Sequence, residues 1–86
     1  MAAVLIYTRP FCPYCARALA LLKAKGATFT EVDDAAFNPE RRKEMLEKSG
    51  GAATYPQIFI GDTHVGGCDE LMALDQAGGL DPLLSA

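Results

Sequence analysis

This sequence predicts an α/β fold: a four-stranded mixed sheet flanked by helices, in the order β-α-β-α-β-β-α. Three observations carry it. Short apolar runs alternate with longer stretches of helical spacing through the first half, the pattern of parallel strands joined by helices. Two strand-like runs, Gln57–Ile60 and Thr63–Val65, are separated only by Gly61-Asp62, which suits a tight antiparallel hairpin. Glycine pairs fall between these segments, and Pro13 and Pro39 stand only at the first positions of the helices.

The elements follow in order. Ala2–Tyr7 is an apolar run that ends at Thr8-Arg9-Pro10-Phe11, a strand over Val4–Thr8 followed by a turn. A helix is expected from Pro13 to Lys25, with Ala16, Leu19 and Leu22 on one face and Gly26 as its stop. Thr28–Asp33 is the second strand, carried by Phe29 and Val32. Asn38-Pro39-Glu40 starts the second helix: Asn caps, Pro fits the first position and Glu suits the positive end. It runs to about Lys48 and stops at Ser49-Gly50-Gly51. After the hairpin, Gly66-Gly67 leads into a third helix over Asp69–Ala77, stopped by Gly78-Gly79. The core is expected from residues such as Val4, Ile6, Leu22, Ile58, Ile60 and Leu71.

Composition bounds the function. The 86 residues, 50% hydrophobic and 22% charged, suit one globular domain over 1–86. The opening apolar run has no basic stretch before it and no small-residue cleavage site after it, so no signal peptide is expected. No run approaches the ~20 apolar residues of a membrane span. Three unevenly spaced cysteines make a poor secreted disulfide framework and point to a reducing, cytoplasmic setting. Every ionisable side chain before Glu31 is basic, namely Arg9, Arg17, Lys23 and Lys25. Lys23 and Lys25 read as solvated helix positions. Four dispersed bases on a chain of net charge −3 do not form a nucleic-acid footprint.

The chemistry centres on Cys12-Pro13-Tyr14-Cys15. A Cys-x-x-Cys at a strand-to-helix junction places the first thiol at the helix N-terminus and the second one turn further in. Unpaired N–H groups and the positive end of the dipole favour a thiolate at Cys12. With Cys68 and His64 the pair would complete a Cys₃His zinc set, but structural zinc sites normally use two short-spaced pairs and here there is one; no metal is expected. His64 reads as an exposed hairpin residue and Cys68 as a small buried hydrophobe. Tyr7 and Phe11 read as packing residues, and Phe37 as a staple reaching Met45 or the Arg41 stem.

Four stretches together resemble the bacterial dithiol glutaredoxins of the thioredoxin fold. They are Cys12-Pro13-Tyr14-Cys15, Thr54-Tyr55-Pro56-Gln57-Ile58-Phe59-Ile60, Gly66-Gly67-Cys68-Asp69, and the tail Leu74-Asp75 to Gly78-Gly79-Leu80. The resemblance implies a glutathione-dependent thiol–disulfide oxidoreductase, monomeric, acting on glutathionylated or disulfide-bonded proteins, with Cys12 and Cys15 catalytic. It implies a cis bond before Pro56, and glutathione lying along Thr54 and Tyr55 with its γ-glutamyl end near Gly67, Cys68 and Asp69. Arg9 matches a basic position suited to the glycine carboxylate, and Tyr14 flanks the groove. The chain departs from the family where Tyr55 replaces the usual Val and where Ser49–Ala53 lacks the usual basic residue before Thr54. Arg41 or Arg42 would have to supply that cation, and Tyr55 would stack along the ligand or crowd the groove. These departures favour one rival reading, a redoxin recharged by thioredoxin reductase; a second, a dimeric carrier of a glutathione-ligated [2Fe–2S] cluster, rests on thiolates being cluster ligands. Pro13 and Cys15 argue against the carrier.

Overall fold

The computed structural model describes residues 2–86; Met1 of the expected 1–86 domain lies outside the described residues. The elements are β1 (Val4–Tyr7), α1 (Pro13–Ala24), β2 (Phe29–Val32), α2 (Pro39–Ser49), β3 (Gln57–Ile60), β4 (Thr63–Gly66), α3 (Cys68–Gln76) and α4 (Leu80–Ser85). The strands lie in the order β2-β1-β3-β4, with β1 parallel to β2 and antiparallel to β3, and β3 antiparallel to β4. This is the thioredoxin-like sheet expected from the sequence.

Side-chain alternation splits the core into two layers. Val4 and Ile6 of β1 and Ile58 and Ile60 of β3 join Leu22 of α1, Leu71 of α3 and Leu80 and Leu84 of α4 on one face. Tyr7 and Phe59 point the other way and pack with Ala35 and with Met45 of α2. The Tyr7 and Phe59 rings meet edge to face at 5.9 Å, a favoured aromatic geometry.

The helix boundaries follow their caps. The Asn38 side chain accepts from the N–H groups of Glu40 and Arg41, and Gly50 closes α2 in the left-handed region at φ 71°. Among the described residues the chain also contains an element beyond the seven expected, α4. Its Pro82 falls in the first turn, where a missing N–H costs nothing. Leu80 and Leu84 are buried, and the Ala2 N–H donates to the Leu84 carbonyl. Lys25 is correspondingly not a free surface cation. Its ammonium bridges Asp75 at 2.7 Å and Asp81 at 3.0 Å, and both hydrogen bonds raise its pKa, tying the end of α1 to α3 and α4.

Two aromatic expectations are corrected. Phe11 is 98% exposed and Phe37 is 68% exposed, so neither packs as the sequence suggested. Tyr7 is fully buried, as expected.

Candidate active site

Three segments converge at one end of the sheet because of its register. Tyr7 at the end of β1 pairs with Gln57 at the start of β3, which sets Pro56 beside the loop leading to Cys12. The Ile58–Gly66 pairing brings the end of β4, and so the start of α3, to the same place. The Tyr55–Pro56 bond is cis, the isomer that only proline adopts at small cost.

Cys12 is the N-cap of α1, with an extended backbone, and Pro13 takes the first helical position. The Cys15 N–H donates to Cys12 Sγ at 3.2 Å. Cys12 and Cys15 are paired as a disulfide, with Cα atoms 5.2 Å apart. Cys12 Sγ also lies 4.0 Å from the Tyr55 carbonyl oxygen. Reduction would leave the Cys15 N–H and the helix N-terminus facing a thiolate at Cys12, the arrangement that lowers a thiol pKa.

Beside the disulfide runs a groove of about 170 Å³ lined by Tyr14, Thr54, Tyr55, Pro56, Gly67, Cys68, Asp69 and Glu70. It gathers every expected glutathione-contacting residue except Arg9. Arg9 lines a separate concavity that also includes Cys12 and Cys15, and its guanidinium donates to the Pro10 and Phe11 carbonyls at 3.2 and 3.4 Å. Arg41, on α2, pairs with Glu44 at 3.5 Å and lines another concavity, beside β2.

The groove is held by its neighbours. The buried Gln57 amide donates to the Thr54 carbonyl and hydroxyl at 3.0 and 3.1 Å, while its Oε1 meets His64 Nε2 at 2.7 Å. His64, stacked on Phe59, thereby orients the amide that fixes Thr54. At α3, Glu70 reaches back to accept the Gly67 N–H at 3.0 Å. Gly67 has no side chain to answer it, so the first N–H groups of α3 stay unpaired and open to the groove. The sequence reading missed Glu70, for which a Glu three residues after the cap is the recognisable signal.

Cys68 is buried and free, and burial pushes its thiol pKa up against a smaller opposing pull from Arg17. It is buried, as the sequence suggested. Cys12, Cys15, Cys68 and His64 do not converge: among the described residues no three His, Cys, Asp or Glu side chains are placed to hold one metal ion. Tyr55, which lines the groove, is partly buried and packs against the Tyr7–Met45–Phe59 layer.

A Cys-x-x-Cys disulfide capping α1, facing a cis-proline, defines a dithiol redox protein of the thioredoxin-like class. The glutaredoxin family model matches residues 4–65. The chain is 56% identical to glutaredoxin 3 of Escherichia coli K12 over 84 residues, covering 98% of this chain and 99% of that one. Among solved structures, the Brucella melitensis glutaredoxin superposes with a TM-score of 0.82 at 63% identity, covering 98% of this chain and 89% of its own. A buckwheat glutaredoxin–glutathione complex superposes with a TM-score of 0.84 at 28% identity, covering 98% and 77%. The chain belongs to the glutaredoxin family, the glutathione-dependent disulfide oxidoreductases. Among the described residues, no helix is long and apolar enough to cross a membrane.

Proposed function

We propose that this chain, as a single domain, reduces protein–glutathione mixed disulfides and protein disulfides, with Cys12 as nucleophile and Cys15 as resolving thiol. The observation that carries this assignment of roles is the cap geometry: Cys12 sits at the N-terminus of α1 and receives the Cys15 N–H, while Cys15 lies one turn inside and buried.

The Cys12 thiolate attacks the glutathione sulfur of a protein mixed disulfide. The old S–S bond breaks, the protein leaves as a thiolate that takes up a proton, and Cys12 holds the glutathione. A second glutathione thiolate attacks that sulfur, releasing glutathione disulfide and restoring the Cys12 thiolate. For protein disulfides Cys12 forms the mixed disulfide with one protein sulfur. Cys15 then displaces it and closes the Cys12–Cys15 bond, which two glutathiones reopen.

Glutathione lies in the groove with its cysteinyl backbone along Tyr55, in the manner of an added strand. Its γ-glutamyl carboxylate takes the open N–H groups at the start of α3, and its ammonium meets Asp69. Thr54, Pro56, Gly67 and Cys68 shape the walls and Tyr14 flanks the entrance. Arg9, exposed and within the loop before Cys12, takes the glycine carboxylate after releasing the Pro10 and Phe11 carbonyls. We take the protein to act as a monomer in the cytoplasm, a compartment that keeps thiols reduced as exchange with glutathione requires.

Trapping tests the roles. Cys15→Ser protein mixed with a glutathionylated peptide should retain one glutathione on Cys12 by mass spectrometry. Labelling at Cys68, or none at all, would overturn the assignment.

A further inference from the structure

Phe11 combines two features that a folded chain ordinarily avoids. It is a bulky L-residue in the left-handed region, at φ 56°, and its ring is 98% exposed. Both are unfavourable in the isolated protein, and a backbone outlier of this kind beside reactive groups is a pointer to function. Before glutathione draws Arg9 away, its guanidinium donates to the Pro10 and Phe11 carbonyls, one on either side of the Phe11 Cα.

The ring borders a shallow concavity of about 560 Å³ that it shares with Cys12, Pro13, Cys15, Ala16 and Leu19. The glutathione groove shares no lining residue with this concavity and meets Cys12 at Tyr55, whose carbonyl oxygen lies 4.0 Å from Cys12 Sγ; the exposed Tyr14 stands at its edge. One reactive sulfur therefore stands between two depressions, each bordered by an exposed aromatic ring. A protein–glutathione mixed disulfide has two halves joined at the atoms being exchanged. With glutathione in its groove, the polypeptide bearing the leaving sulfur has the Phe11 side of Cys12 left to it.

We infer that Phe11 and the apolar concavity behind it dock the polypeptide flanks of the modified cysteine, selecting substrates with apolar residues beside that cysteine. The inference rests on the glutathione-dependent activity and adds a protein-substrate subsite. Covering the Phe11 ring supplies the hydrophobic gain, as at aromatic anchors of protein interfaces.

Two glutathionylated peptides, identical except for Leu or Gly on both sides of the modified cysteine, test this through the ratio of their kcat/KM values. The wild-type protein should favour the Leu peptide about tenfold. Phe11→Asn keeps a residue tolerant of the left-handed conformation and should bring the ratio to within about twofold of unity. Phe11→Tyr, which keeps the ring, should retain the preference. So should Phe37→Asn, which removes an exposed aromatic remote from the cysteines. A wild-type ratio near one, or a preference that survives Phe11→Asn, would overturn the docking role while leaving the oxidoreductase activity standing. Failure of the wild-type protein to turn over either peptide would instead overturn that activity, and this subsite with it.

Discussion

Tyr55 shows how one residue can be conspicuous in the sequence and still mislead. Its place beside the cis-proline suggested a ring in or over the ligand groove. Tyr55 lines the groove, but its side chain also packs against the layer of Tyr7, Met45 and Phe59, and its hydroxyl is buried with no hydrogen-bond partner among the described residues. A buried unpaired hydroxyl costs roughly 1–3 kcal/mol, so Tyr55→Phe should raise unfolding stability by about 1 kcal/mol in denaturant titration. With the ring packed against that layer, Tyr55→Val should lower stability by opening a cavity and leave glutathione affinity unchanged. A tighter glutathione complex from Tyr55→Val would show that the ring does crowd the ligand. The active cysteines were legible because their chemistry depends on spacing alone. Phe11, Phe37 and Lys25 were not, because exposure and ion pairing depend on distant chain: the partners of Lys25 are Asp75 and Asp81.

At the scale of elements, the start of α3 tolerates little change. Gly66 adopts φ 115°, and a Cβ there would come within 2.9 Å of Glu70 Oε1, the carboxylate oxygen that accepts the Gly67 N–H. Gly66→Ala should therefore cost about 1–2 kcal/mol of stability from backbone strain alone and, by displacing Glu70, weaken glutathione binding. Calorimetry of the variant with glutathione checks both, and unchanged affinity would separate Glu70 from the groove. The other helices were readable from their caps: Asn38-Pro39 and Gly50 bound α2 as the sequence indicated. The six-residue α4 escaped notice, since Leu80-Asp81-Pro82 follows two glycines and reads as a terminating turn. Its stability comes from burying Leu80 and Leu84 against β1 and α3 and not from propensity.

Across the whole molecule, the alternation of β1 and β3 divides the core into two layers while their register gathers the cysteines, the cis-proline and α3 at one end. That much was legible from strand and helix periodicity together with the family motifs. The coupling between layers was not, and Tyr7 carries part of it. Its hydroxyl donates to Glu44 Oε2 at 2.9 Å, joining β1 to α2. Burial first, then the hydrogen bond and charge of Glu44, raise the Tyr7 pKa from 10.0 to about 12. Between those values the unfolded chain loses the proton while the native state keeps it, so the contribution of Tyr7 to stability is complete below pH 10 and disappears as pH rises through about 12. Tyr7→Phe should flatten the loss of stability across that window relative to wild type in pH-dependent unfolding. Parallel curves for the two proteins would contradict the assignment.

The most direct test of the central claim is steady-state reduction of a glutathionylated peptide by wild-type, Cys12→Ser and Cys15→Ser proteins, with glutathione as the sole electron donor. The Cys12 cap geometry predicts turnover by wild type and by Cys15→Ser, and loss of at least about a thousandfold for Cys12→Ser, as removal of a nucleophile entails. Substantial turnover by Cys12→Ser, or silence from folded, reduced wild-type protein, would contradict it; silence would turn attention to thioredoxin reductase as the electron source.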